Sequence, residues 1–303
     1  MENFAALIAA SINSGTPLLI AALGLLINER AGVLNLGAEG MMLVAAITGF
    51  AVAHQTHIPE LGFLAGAIAG MLMASLFAWF VLVLSTNQVA TGLALSIFGS
   101  GLSAFIGQSF VGQSLPAGNH GIPGLANLPF VGKALFDQHW MVYFSLLLCV
   151  ALVWFLYRTR SGLILRAVGE SPESAHALGY PVRRIRYAAL LFSGACCGMA
   201  GAYLSVVYTP MWVEGLVSGR GWIALALTTF ATWRPARVLL GALLFGSVTI
   251  LQFHFQAIGL AIPSQILSML PYVATILVLV LISRNPDWIR LNMPASLGKP
   301  FHH

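Results

Sequence analysis

Long runs of apolar residues, separated by short polar breaks, dominate the hydrophobic pattern of this chain. Read between the breaks, the runs predict helices over 5–27, 40–53, 62–84, 88–106, 139–157, 187–208, 219–233, 238–256 and 265–283. A membrane-spanning helix needs roughly 20 predominantly apolar residues, and most of the runs approach that length. The runs lack the alternation that the strands of a membrane β-barrel show. The pattern therefore predicts an all-α polytopic membrane protein, one domain over 1–303, with about nine transmembrane helices and a range of eight to ten.

Composition supports the membrane interpretation. Hydrophobic residues make up 58% of the chain and charged residues only 8%, against roughly 25% charged residues in ordinary soluble domains. Between Leu61 and Gly132 there is no Asp, Glu, Lys or Arg. A soluble domain of this length needs a charged surface, and these few charges cannot supply one.

The distribution of Lys and Arg predicts the orientation, because these residues stay on the cytoplasmic side. The loop 158–186 contains six arginines. If that loop is cytoplasmic and the spans alternate, twelve of the 14 basic residues lie inside, and only Lys133 and Arg220 lie outside. The C-terminus is then cytoplasmic. The asymmetry also explains the net charge of +5 without a nucleic-acid partner.

The predicted external loop over 107–138 is long, rich in Gly, Pro and Asn, and uncharged up to Lys133. We expect it to cap the outer face or to bind a partner there. Within the spans, Gly62, Gly66 and Gly70 repeat at every fourth position. Such spacing lets helix backbones approach closely in lipid, so it predicts helix packing.

A short helix is predicted inside the cytoplasmic loop 161–187, at the sequence SPESAHALGYP. Ser171 is a good N-cap, Pro172 suits the first helical position, and Gly179 is a typical C-terminal stop. These signals predict a helix over 172–178. A helix this short is marginal alone in water, so it is either a connector that docks on another protein or an amphipathic loop helix on lipid headgroups.

The stretch NERAGVLNLGAEGMM, residues 28 to 42, places charges and glycines between two apolar runs. Asn35 and Glu39 are four residues apart and would share one face if the stretch were helical. A second Gly-interrupted run, GLVSGRGW, contains Trp222. Paired interrupted spans indicate the binding site of a transporter. We therefore expect Asn35, Glu39 and Trp222 to line a substrate pathway, or Glu39 to hold helices together by pairing with Arg30 or with a backbone group.

Several function classes are excluded or disfavoured. The chain has no GxxxxGK[ST] motif for ATP and no HExxH or comparable catalytic set, so it is not expected to be an enzyme. An ion-coupled secondary transporter is the alternative that needs no ATPase. It requires ionisable coupling residues within the spans, and only Glu39 is a candidate,.

Two motifs resemble a known family. LRAVGESPESAHALGYPVRRIRYAALLFSGACCGMAGAYL resembles the coupling-loop region of permease subunits of ATP-binding-cassette (ABC) importers, in the branch for branched-chain amino acids, ribose-like sugars and nucleosides. ERAGVLNLGAEGMM is similar to the signature of the nucleoside type. The resemblance covers nearly the whole chain. Ser171 and His176 depart from the usual Asn and Ala.

The resemblance implies a type II ABC importer-like bundle in the bacterial cell (inner) membrane. It implies transport of a small uncharged polar solute, a nucleoside in the first place and a ribose-like simple sugar as the alternative. The implied partners are a cytoplasmic ABC ATPase that holds ATP and Mg²⁺, a second and different homologous permease, and an extracytoplasmic solute-binding protein or lipoprotein. No metal or cofactor is expected on this chain. The residues implied to couple to the ATPase are Arg166, Gly169, Glu170, Ser171, Pro172, Glu173, Ala175 and Gly179.

Overall fold

The computed structural model describes residues 2–116, 132–258, 263–283 and 292–301, which form helices and connecting turns without a named strand. In order, the helices are α1 (Glu2–Arg30), α2 (Ala38–Thr56), α3 (Pro59–Ala78), α4 (Gln88–Gly107), α5 (Trp140–Arg158), α6 (Arg160–Glu170), α7 (Pro172–Ala177), α8 (Val182–Tyr203), α9 (Arg220–Phe230), α10 (Pro235–Ala257), α11 (Ser264–Ser268) and α12 (Leu270–Ser283). Helices α3 and α8 each continue as one π-helical turn. The predicted all-α fold is confirmed.

Six helices of the described residues are long and apolar enough to cross a membrane. They are Phe4–Arg30, Pro59–Val83, Gln88–Phe110, Trp140–Arg158, Val182–Tyr208 and Pro235–Ala257. The other three predicted runs correspond to α2, α9 and the pair α11–α12. The count of about nine spans is therefore not confirmed, although each predicted run contains helix.

The helix within the predicted run 219–233 is shorter than the run and too short to span a bilayer. Helix α9 has 11 residues, which is about 16 Å at 1.5 Å per residue. The hydrocarbon core of a bilayer is about 30 Å thick. Turns and extended backbone precede α9 over 209–219. The glycines at 215 and 219 have positive φ angles, which helical residues do not adopt,.

Helices α1 and α2 form the centre of the bundle, with α3 and α8 packed around them. Every residue from 14 to 33 is buried, and α2 buries most of its residues on all sides. A helix that is apolar all round is expected in the interior of a bundle. The first interrupted segment therefore lies in the protein interior.

The glycine repeat of α3 packs against a second glycine row, on α8. A Cβ at Gly70 would collide with the carbonyl oxygen of Gly194, and one at Gly66 would lie 3.0 Å from the carbonyl oxygen of Gly198. Each glycine thus allows a close approach of two backbones. The predicted packing role of this repeat is confirmed.

Several arginines, among them Arg30 and Arg186, lie at one end of the bundle, which we call the basic end. Arg30 at the end of α1 donates to the carbonyl of Asn292 at 3.1 Å. Arg186, near the start of α8, donates to the carbonyl of Ala31 at 3.1 Å and is almost fully buried. The 292–301 segment is therefore packed against the turn between α1 and α2.

Parts of the sequence predictions lie outside the described residues. They are residues 117–131 of the predicted external loop, and Arg284 and Arg290 of the positive-charge count.

Candidate functional site

The 28–42 segment contains the end of α1, a non-helical turn over 31–37 and the start of α2. The side-chain oxygen of Asn35 accepts the N–H of Gly37 at 2.8 Å, and the side chain is fully buried. Asparagine often bonds the backbone two residues ahead and so favours a turn over a helix. Asn35 precedes α2, so the condition under which it would share a helical face with Glu39 is not met.

Glu39, in the first turn of α2, binds the N-terminus of α9. Its two carboxylate oxygens accept the N–H groups of Gly219 at 2.8 Å and Gly221 at 2.7 Å. The first N–H groups of a helix have no partner within the helix and carry partial positive charge, which a carboxylate satisfies. A Cβ at Gly221 would lie 2.6 Å from the Cα of Glu39. Only glycine permits this close approach.

The other end of α9 is held by the two residues that end α1. The carboxylate of Glu29 accepts the Thr228 hydroxyl at 2.8 Å and the indole N–H of Trp233. The Arg30 guanidinium donates twice to the carbonyl of Trp233, at 3.1 and 2.9 Å. A cation suits the negative C-terminal end of a helix. We call Glu29, Arg30 and Glu39 the α9 clamp.

The clamp joins the two interrupted segments that the sequence pairs. The bonds of Glu39 to the backbone of α9 correspond to the helix-holding interpretation of this residue. Among the three expected pathway residues, Asn35 is enclosed, Glu39 is half-buried and Trp222 is 37% exposed. Lining of a pathway by these three residues stays a prediction.

Sequence reasoning missed the role of Glu29, which is 2% exposed. The sequence does place Glu29 at the end of an apolar run. A carboxylate there costs free energy unless it has a partner in the protein interior, so a partner could have been expected. Its partners Thr228 and Trp233 follow it by 199 and 204 residues. No local pattern connects positions so far apart.

The short helix α7 has the capping signals that the sequence contains. The Ser171 hydroxyl accepts the N–H of Ser174 at 3.3 Å. Gly179 has a φ of +86°, and its N–H donates to His176 O at 2.8 Å while that of Tyr180 donates to Ala175 O at 3.1 Å. This pair of bonds is a Schellman motif. The helix is Pro172–Ala177, one residue shorter than predicted.

The two faces of α7 differ in their environment. Pro172 and Ala175 are buried, and Ala175 packs in a cluster with Val168, Val182 and Phe301. Leu178, just after the helix, is 78% exposed. An exposed leucine at the tip of a capped helix is available to another protein.

The eight predicted coupling residues are divided between the two faces. Gly169, Pro172 and Ala175 are buried, Arg166 and Ser171 are half-buried, and Glu170, Glu173 and Gly179 are exposed. Gly169 lies against Arg30, and a side chain there would collide with the Arg30 carbonyl. The sequence did not predict the exposed Leu178, nor α6, which precedes α7.

The 292–301 segment links α6 to the turn between α1 and α2. The backbone N–H and the hydroxyl of Ser296 both donate to Gly169 O, at 3.0 and 2.7 Å. Arg186 donates to the Ser296 hydroxyl at 3.1 Å, and the Gly298 N–H donates to Gly32 O at 3.3 Å. The 292–301 segment therefore bonds both to the end of α6 and to the turn between α1 and α2.

Comparisons with known proteins agree on one family. The model of the family described as branched-chain amino acid transport system / permease component matches residues 7–282. A putative glucose ABC transporter permease protein of Haloferax volcanii is 43% identical, with 100% of this chain and 99% of the relative covered. No solved structure matches.

Two further relatives have nucleoside names. A nucleoside ABC transporter permease protein of Lactococcus lactis is 35% identical, with 88% of each chain covered. A guanosine ABC transporter permease protein of Bacillus subtilis is 32% identical, with 97% of each chain covered. These matches confirm the resemblance seen in the sequence motifs. Such a permease is a multi-pass membrane subunit of an ABC system, and it is not itself an enzyme. An ABC system implies ATPase and substrate-binding partners. The chain therefore belongs to the branched-chain amino acid transport system / permease component family.

Proposed function

We propose that this chain is the permease of an ATP-driven importer for a small uncharged polar solute, and that α7 is its contact with the ATPase. The observation that carries the proposal is the geometry of α7. The helix is capped at both ends by its own residues, buried on one face, and followed by the exposed Leu178. A self-contained helix of this kind can be pushed as a unit.

In this proposal the exposed groups around α7 bind a groove of the ATPase. Leu178 supplies an apolar anchor, and Glu173 supplies a charge on the exposed side. Buried anchors near the centre of an interface carry most of the binding energy. Among the predicted coupling residues, Gly169 and Ala175 act indirectly, because they fix α6 and α7 to the rest of the chain.

Orientation follows from charge. The basic end is cytoplasmic under the positive-inside rule, and α7 and the 292–301 segment lie at that end, so the C-terminus is cytoplasmic as well. The opposite end then faces the outside, where the solute-binding protein or lipoprotein docks. The membrane is the bacterial cell (inner) membrane.

The solute is a nucleoside in the first place, since two of the relatives are named for nucleoside or guanosine transport. A simple sugar is the second candidate, because the relative that is 43% identical is named as a putative glucose permease. Both solutes are uncharged and rich in hydrogen-bonding groups. Few ionisable side chains lie in the spans to bind a charged one.

A second permease completes the membrane part, and it is a homologous but different chain. The Haloferax and Bacillus relatives support this, because each organism also has a more distant permease of matching name, for glucose at 27% identity and for guanosine at 26% identity. ATP and Mg²⁺ bind the partner ATPase, and this chain binds no cofactor.

Alternating access then works through a chain of contacts. Movement of α7 displaces α6, and Gly169 passes the displacement to Ser296 and to the turn between α1 and α2. The α9 clamp lies on both sides of that turn, so α9 moves with it. Helix α9 is the proposed mobile part of the pathway wall.

Energy coupling tests the proposal. Cells that express the complete transporter should take up labelled uridine or glucose, and uptake should stop when the partner ATPase is inactivated by mutation. An ionophore that collapses the proton gradient should leave uptake intact while ATP is maintained. Uptake that survives ATPase inactivation and is lost with the ionophore would show an ion-coupled secondary transporter instead.

A further inference from the structure

A cavity of about 390 Å³ lies between α1, α10, α12 and the first turn of α9. Its lining includes Ser14 of α1 and Gln252 of α10. Ser14 precedes Arg30 by 16 residues, which is about 24 Å along the helix. The cavity is therefore in the half of the bundle opposite the basic end. Its volume is within the usual range of small-molecule sites, about 300–1,000 Å³.

Two buried polar side chains line this cavity without a protein partner. Gln252 is 8% exposed and Ser14 is 2% exposed. Neither side chain makes a hydrogen bond with any residue in the part of the chain that the structure describes. By contrast, the hydroxyl of Thr249, which also lines the cavity, donates to the carbonyl of Phe245 in its own helix at 2.9 Å.

Buried amide and hydroxyl groups are normally hydrogen-bonded, since leaving them unpaired costs free energy. The side chains of Gln252 and Ser14 are mostly buried but line the cavity, so their hydrogen-bonding groups are satisfied by water or by a molecule that enters it. A carboxamide both donates and accepts, and so does a hydroxyl. The partner that suits both groups is a neutral molecule rich in hydroxyl, carbonyl or amide groups.

The remaining lining distinguishes this cavity from an apolar groove. Arg220 also lines it; its Nη1 donates to the carbonyls of Leu216 and Val217, and its guanidinium carbon lies 5.3 Å from the Tyr208 ring centre. A larger cavity of about 470 Å³, near Phe155 and Phe192, is lined almost entirely by apolar side chains. Of these two cavities, the smaller one suits a polar solute.

The cavity is in direct contact with the clamped end of α9. The Tyr272 hydroxyl, on its wall, donates to the carbonyl of Ser218 at 3.2 Å. Gly219, the next residue, donates its N–H to Glu39. A molecule in the cavity therefore touches the segment whose position the clamp controls.

We propose that this cavity is a binding site for the transported solute within this subunit, and that Gln252 and Ser14 hydrogen-bond a small uncharged polar molecule there. The proposal rests on the proposed function and adds a place within the bundle where the solute contacts the permease. Neither residue belongs to a motif that the sequence pattern singles out.

Substitution in the complete transporter, reconstituted in vesicles with saturating binding protein, tests the site. Gln252→Leu keeps the side-chain size but removes the hydrogen-bonding groups. We expect transport of labelled uridine or glucose to fall about tenfold, the effect of about one buried hydrogen bond, with ATP hydrolysis retained. The matched control is Gln256→Leu, at an exposed position one turn later in α10. Normal transport by Gln252→Leu would overturn the proposal.

Ser14→Ala should give a smaller fall in transport. Its control is Ser11→Ala, because the Ser11 hydroxyl already donates to the carbonyl of Leu7 in its own helix. Equal effects of the two serine substitutions would contradict a specific role for Ser14.

A labelling experiment decides the matter if Gln252→Leu fails to assemble, or if wild-type transporter moves neither solute. Gln252→Cys in the assembled complex is treated with a hydrophilic thiol reagent, with and without uridine or glucose. The native Cys149, Cys196 and Cys197 are buried, and the wild-type protein gives their background. Slower labelling in the presence of either solute supports the site, even if the proposed transport fails. Labelling that neither solute slows, or no labelling above background, overturns it.

Discussion

Helices α7 and α9 are both short and both end in a local turn, but the groups that cap their N-termini come from different places. In α7 the capping group is local, the hydroxyl of Ser171 directly before the helix. In α9 it is distant: Glu39 is 180 residues from Gly219 in the sequence, although the C-terminal bonds from Thr232 N–H to Thr229 O and from Trp233 N–H to Thr228 O are local. Helix α7 is therefore capped at both ends by its sequence neighbours, whereas the start of α9 depends on the 28–42 segment.

This difference has a mechanical consequence. A force on α7 moves a preformed helix, because its own residues complete it. Helix α9 is bonded near its two ends by Glu29, Arg30 and Glu39, so in the proposed mechanism a movement of those residues displaces α9. The 292–301 segment connects the two regions through Ser296, which bonds Gly169 on one side and Arg186 on the other.

The largest expected loss of stability comes from removing the carboxylate of Glu39, which caps the N-terminus of α9. Glu39→Ala leaves the N–H groups of Gly219 and Gly221 without acceptors inside the bundle. Hydrogen bonds to charged groups contribute about 1.5–3 kcal/mol each, so we expect a loss of about 3 kcal/mol in stability. The measurement is thermal unfolding of the purified transporter, together with the yield of assembled complex.

Two variants make this prediction sharper. Glu60→Ala removes an acid from the first turn of α3, where the side chain is exposed, and should change stability little. Glu39→Gln keeps one acceptor oxygen and should lose less stability than Glu39→Ala. If Glu39→Gln assembles with wild-type stability but transports nothing, Glu39 contacts the solute, and its role as a helix cap is secondary.

The contrast also explains which parts of the molecule the sequence could predict. Apolar runs predicted the all-α fold and a helix in each of nine places, because burial in lipid depends on composition over about 20 residues. The caps of α7 were visible because capping groups lie within a few residues of the helix. Glu39 was recognised as a candidate for holding helices together, but its partner α9 and the bond from Trp233 to Glu29 were not predicted, since both depend on the tertiary fold.

The region around α7 was also predicted only in part, because the burial of its side chains depends on contacts with a distant segment. The sequence identified α7 and its surroundings but not which side chains face outwards. Gly169 and Ala175 are buried because the 292–301 segment packs beneath them: Ser296 bonds Gly169, and Phe301 packs with Ala175. Bulky substitutions at these two positions would therefore disturb internal packing before any contact with a partner.

Leu178 is the better position for testing contact with the ATPase. Leu178→Ala removes an exposed apolar side chain without affecting internal packing. An interface anchor of this kind contributes about 2 kcal/mol, so the ATPase should bind about 30-fold more weakly. Co-purification of the ATPase with the permease measures the effect. Leu163→Ala, the same change at an exposed position on α6, should leave ATPase binding unchanged, and equal losses in both variants would contradict an anchor role for Leu178.

The smallest expected effect comes from removing the local cap of α7. Ser171→Ala removes the hydroxyl that accepts the Ser174 N–H, a change that costs about 1 kcal/mol. Because α7 is capped by its own residues, the loss should stay local: backbone amides of 174–178 should exchange with solvent about fivefold faster, while those of α9 keep their rate. Ser161→Ala is the control, since it removes a hydroxyl at an exposed position of α6 and leaves the bonds of Ser171 with Ser174 intact. Faster exchange in α9 as well as α7 would show that the two helices share one cooperative unit, and α7 would then not be self-contained.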